Sequence, residues 1–136
     1  MLIALLTIHG LIRWVLAALA AVLLVRYGLG WLKGRQFATL DRQLGAAYAG
    51  AMTVQFLLGL TNLLLFVAGG AFRPAAHAEH AFYGLLATAL AHMTPMFKNQ
   101  PHRQRFRNAF LLVLLSLLLV LLSVTRLRGN FFFGLM

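Results

Sequence analysis

The chain has 136 residues, 62% of them hydrophobic and 10% charged, with a mean hydropathy of +0.85. That composition lies outside the range of soluble globular domains and describes a single integral membrane domain with the bilayer as its solvent. Twelve Lys and Arg against two acids give a net charge of +10, which beside apolar segments orients loops and meets anionic headgroups rather than nucleic acid. With no cysteine, disulfides, thiolate metal sites and Cys-attached haem are excluded, so any metal rests on His, Asp, Glu, Met or backbone oxygen.

Residues 2–25 form the first span, close to the roughly 20 residues that a hydrocarbon core requires. Ala17 to Ala21 offers small residues of the kind a signal peptidase accepts, but no basic residue precedes the apolar run and His9 and Arg13 interrupt it, so the segment reads as retained. Arg26 and then Lys33, Arg35 and Arg42, in the connection from Trp31 to Gln43, place that loop inside by the positive-inside rule. The second span, 44–67, carries Tyr48, Gln55, Gly59 and Asn62 on one face. Gly69-Gly70 ends it, and Arg73-Pro74 opens a short outer connection reaching His77.

The third span, 79–96, stops where Pro95 weakens it and Pro101 breaks it. Lys98, Arg103, Arg105 and Arg107 follow on the inner side, and 109–125 is a fourth span of nearly pure Leu and Val, relieved by Ser116 and Ser123. Arg126 and Arg128 then fall outside, and Phe131 to Phe133 make a tail suited to the interface or to a partner. The expected fold is all-α: one antiparallel four-helix transmembrane bundle over residues 1–136, with short loops and both termini on the outer side.

Lipid cannot hydrogen-bond a stray side chain, so polar stripes should converge inside the bundle. On the first helix the stripe is His9, Gly10, Arg13, Ala17 and Ala20 or Ala21; on the third it is His80, Gly84, Thr88 and His92. An arginine as deep as Arg13 costs about 2.5–3.5 kcal/mol on insertion scales. Glu79, a haem propionate, backbone carbonyls or snorkelling to the interface would each relieve it.

His9 and His80 enter from the same side and reach similar depth, which suits the two axial ligands of one haem b. Gly10, Gly59 and Gly84 would leave room for a macrocycle, and Arg13, Arg73, Arg126 and Arg128 are candidates to neutralise its propionates. The competing reading is that both histidines only hydrogen-bond across helices. His92 lies deeper on the inner side; it is a candidate for a second haem, a proton shuttle or a quinone contact, with Gln55 and Thr88 as its nearest polar neighbours. His77, Glu79 and His80 spell H-x-E-H, which with His9 offers Zn²⁺ or Cu²⁺ a further possibility, although Glu79 points away from the i, i+3 histidine pair. There is no Walker loop, G-x-G-x-x-G, G-x-S-x-G or H-E-x-x-H, and the five methionines show no ligand-like cluster.

Leu6-Thr7-Ile8-His9-Gly10-Leu11-Ile12-Arg13-Trp14, Leu40-Asp41-Arg42-Gln43-Leu44-Gly45, Gln55-Phe56-Leu57-Leu58-Gly59-Leu60, Glu79-His80 and Leu90-Ala91-His92 together resemble a group of small bacterial four-helix membrane proteins, some labelled cytochrome b-like. The resemblance covers most of the chain apart from the tail. It implies a multi-pass protein of the bacterial inner membrane in which His9, Arg13, Glu79, His80 and His92 act as one set. The expectation is then a haem b electron-transfer protein or subunit of a respiratory or related redox complex. His9 and His80 would be its ligands, with Gln55 and Glu79 tuning the iron. The alternative is a haem-free accessory subunit packed against larger membrane partners. A small transporter is less attractive without a duplicated broken-helix pattern.

Overall fold

The structure is a computed structural model that describes the backbone of residues 1–128 and side chains up to residue 127. The Arg128 side chain and the Phe131–Phe133 tail lie outside the described residues. Four α-helices run in chain order: α1 (Leu2–Lys33), α2 (Thr39–Ala68), α3 (Pro74–Ala91) and α4 (His102–Arg128), with one 3₁₀ turn, Thr94–Phe97, between the last two. Three helical stretches, Leu2–Lys33, Thr39–Ala68 and His102–Leu127, are long and apolar enough to cross a membrane.

The helices pack in a closed ring, α1 against α2 and α4, and α3 against the same two, which sets α1 and α3 across the diagonal. Consecutive helices meet with the end of one beside the start of the next. Tyr27 late in α1 donates its hydroxyl to the carbonyl of Asp41 early in α2, at 2.9 Å, whereas His9 lies against Gly59 late in α2. On α1 the buried residues are Gly10, Arg13, Leu16, Ala20, Leu23, Tyr27 and Gly30. Their spacing of three or four residues is the seam of a helix that buries one stripe. Ala20 rather than Ala21 belongs to it.

Two polar devices join the ring. Ser116 on α4 donates to the Ala87 carbonyl on α3 at 2.9 Å, which leaves the Tyr48 hydroxyl of α2 to donate to Ser116 Oγ at 2.9 Å. One serine thus ties three helices at mid-bundle, where no lipid group competes for its bonds. At the α1–α2 connection Asp41 is fully buried and accepts from the Arg26 and Arg35 guanidiniums and from the Ala38 amide. That hydrogen bond with Asp41 pushes Arg35 above its ordinary pKa. The turn itself needs Gly34, whose φ of 66° is left-handed and whose amide closes α1 on the Gly30 carbonyl at 2.9 Å.

The helices overrun the spans read from sequence, and α3 differs most. It starts at Pro74, not at residue 79, because proline suits the first helical turn, where its missing amide is not needed. It stops at Ala91 rather than at residue 96: His92 caps it and Pro95 sits in the 3₁₀ turn that follows. His92 is therefore at a helix end, not within a span.

Candidate functional site

A cavity of about 300 Å³ lies inside the ring, lined by His9 and Arg13 from α1, Gln55, Gly59 and Asn62 from α2, His80, Gly84 and Thr88 from α3, and Ser123 from α4. It reaches Arg73 and His77 at one end. Four of the six residues singled out from the sequence meet here: His9, Arg13, Gln55 and His80. Glu79 and His92 do not line it.

His9 and His80 face each other across the diagonal, their ring centroids 6.2 Å apart and their planes inclined by 70°. His9 reaches this position because Gly59 carries no side chain; a Cβ there would stand 3.1 Å from His9 Cε1. The Gln55 side chain donates to the His9 backbone carbonyl at 2.9 Å, fastening α1 to α2 beside the ring.

His80 is held more tightly than the sequence suggested, through Ser123. Its Nδ1 lies 3.1 Å from the Ser123 carbonyl and 2.6 Å from Ser123 Oγ, while Ser123 Oγ lies 3.1 Å from the His80 carbonyl. A carbonyl only accepts, so Nδ1 must carry the proton for that contact, and the serine hydroxyl is then free to donate to the His80 carbonyl. This tautomer satisfies all three contacts and places the ring proton on Nδ1. Metal-binding histidines are commonly oriented by such a bond from the other ring nitrogen. The signal for Ser123 was an isolated polar residue in a Leu-Val helix, which has to find a partner somewhere in the bundle.

Arg13 is 4% exposed and lines the cavity, so it does not snorkel to the interface. Glu79 instead pairs with Arg126, Oε1 to Nε at 2.7 Å. The reason is rotational: Glu79 precedes His80 by one residue, about 100° round the helix, so when His80 faces inward Glu79 faces α4. Asn62 is 3% exposed, and neither its amide nitrogen nor its amide oxygen has a hydrogen-bond partner among the described residues; the same holds for Gln55 Oε1. A buried, unmade hydrogen bond costs about 1–3 kcal/mol.

His92 is spent elsewhere. Thr53 Oγ1 donates to the Ala49 carbonyl at 3.1 Å, so the 2.7 Å contact with His92 Nε2 is one in which the ring donates. The ring's partner is the Thr53 hydroxyl rather than the Gln55 or Thr88 side chain. His77 accepts the Arg73 backbone amide at Nδ1 and stacks on Phe66 at 4.9 Å. Among the described residues no three His, Asp or Glu come together as a metal-ion set.

No family model, curated protein or solved structure matches the chain.

Proposed function

We propose that the chain is a four-span bundle of the bacterial inner membrane, α3 being the fourth span, with both termini on the outer side. In this reading it binds one haem b between His9 and His80 and serves electron transfer, as the likeness to cytochrome b-like membrane proteins implies. The observation that carries it is the separation of the two imidazoles. The two rings face each other across the cavity with centroids 6.2 Å apart, and they would hold the group between them.

The surroundings fit the group in three further respects. The His80 ring is oriented by Ser123 through Nδ1. Gly59 clears the space that His9 needs. Cations occur in the lining at Arg13 and Arg73, with no carboxylate among the lining residues, which favours an anionic ligand. A macrocycle fills more than the cavity's 300 Å³, so seating one requires lining side chains to shift.

Bound haem would supply a one-electron couple whose potential follows its ligands, burial and hydrogen bonds. The protein's own part is to hold two neutral imidazoles, to keep Arg13 positive inside an apolar wall, and to exclude water. Electron partners in this reading are other membrane subunits of a redox complex or a quinone.

The test is a dithionite-reduced minus oxidised visible spectrum of detergent-purified protein from cells supplied with a haem precursor. Wild type and His92→Ala should show sharp low-spin bands, and His9→Ala and His80→Ala should lose them. A colourless wild type that takes up no haem on titration would sink the reading and leave the accessory-subunit alternative.

A further inference from the structure

The proposed ligands leave one end of the cavity without a role. There Asn62, Phe66, Arg73, His77, Ala81 and Leu127 form the lining. His77 accepts the Arg73 amide at Nδ1, so the neutral ring carries its proton on Nε2 and offers it as a donor. Arg73 has no ion-pair partner among the described residues, and its guanidinium brings five donors. Asn62, from a different helix, is buried with its amide nitrogen unpartnered. The first turn of α3 begins at Pro74 between Arg73 and His77, which adds the positive end of a helix dipole. Phe66, Ala81 and Leu127 make the remaining wall apolar. Donors of three kinds converge on a space with no carboxylate of its own.

We propose that this end of the cavity is a carboxylate-binding subsite, formed by Arg73, His77 and Asn62, for an acid carried on an apolar body. Two sources share that chemistry. One is a haem propionate, and in that form the inference rests on the haem reading above. The other is a long-chain fatty acid entering from the bilayer, which requires no haem. In both, the charged head meets the guanidinium and the two neutral donors while the body lies on Phe66 and Leu127. Bonds from charged or well-oriented donors to a carboxylate are the strong class of hydrogen bond, so esterifying or reducing the acid should weaken binding by about tenfold or more.

The experiment titrates purified full-length protein with two pairs of probes, haemin against haemin dimethyl ester by visible absorption, and oleate against oleyl alcohol by displacement of a fluorescent fatty acid. The expected result is a preference for the acid of at least one pair. That preference should fall toward unity in Asn62→Leu, Arg73→Gln and His77→Phe, with melting curves monitoring the fold of each variant. Preference for haemin assigns the cofactor as the source. Preference for oleate with no haemin uptake keeps the subsite and overturns the haem reading. Equal affinity for acid and ester, and for acid and alcohol, in the wild type overturns the subsite without needing any variant and leaves the haem reading standing if haemin binds. A preference undiminished in all three variants overturns the assignment as well.

Discussion

At the scale of single residues, three glycines show how differently the same residue is used. At Gly30 a Cβ would stand 2.6 Å from the Phe106 ring, at Gly59 it would stand 3.1 Å from His9, and at Gly50 it would meet nothing within 4 Å. Gly30→Ala must therefore displace a fully buried aromatic side chain, at a cost of about 1–3 kcal/mol for overpacking. Gly50→Ala should be neutral or stabilising by up to about 1 kcal/mol from helix propensity. Unfolding midpoints in detergent read both, and a Gly30→Ala protein melting at or above Gly50→Ala would contradict the packing. Gly59 was legible as a space-maker, since it falls in the polar row of its helix. Gly30 was not, because its neighbour Phe106 lies 76 residues away and nothing local marks the pair.

The elements are unevenly legible in the sequence, and the reason lies in what ends a helix. Periodic polar stripes gave the inward faces of α1 and α2 because a bilayer penalises any other placement of Arg13, Gln55 or Asn62. The ends of α3 differ from the span expected because its start uses a proline that also opens loops, and its stop comes at His92, ahead of the 3₁₀ turn that holds Pro95. The corner between α1 and α2 was read only as a basic loop. It is in fact built on the buried Asp41, with Arg26 at 3.0 Å and Arg35 at 2.9 Å, and walled by Phe37 and Phe106 under the Arg105 and Arg35 guanidiniums. Asp41→Asn removes the charge and keeps the shape, leaving two part-exposed arginines facing each other. The loss should be about 2 kcal/mol, discounted from the buried-pair range for solvent at the arginines. The unfolding midpoint should drop in low and high salt alike; an unchanged midpoint would mean that the aromatic wall, not the ion pair, holds the corner. By contrast the exposed Glu79–Arg126 pair belongs to the class of surface bridges worth little.

For the whole molecule, the charges divide unevenly between the two ends. Arg26, Lys33, Arg35, Arg42, Lys98, Arg103, Arg105 and Arg107 gather at the end of the α1–α2 and α3–α4 connections, which the Phe37 amide bond to His102 Nδ1 ties together at 3.0 Å. Such asymmetry sets orientation during insertion. The chain has no cysteine, so single replacements report topology without background. A membrane-impermeant maleimide should label Ala75→Cys in intact spheroplasts, and Lys33→Cys and Lys98→Cys only after lysis. The reverse pattern would invert the proposed topology and put the cavity mouth at Arg73 on the inner side.

The unequal helix lengths also bear on the surrounding lipid. α1 and α2, with 32 and 30 residues, measure about 48 and 45 Å, whereas the 18 residues of α3 measure about 27 Å at 1.5 Å per residue. Against a hydrocarbon thickness of about 30 Å, long helices tilt or reach beyond the core, and a short one draws the leaflets together. In the proposed four-span reading, acyl chains beside α3 would be squeezed while those beside α1 and α2 would not, giving the annular lipids a gradient of thickness around the circumference.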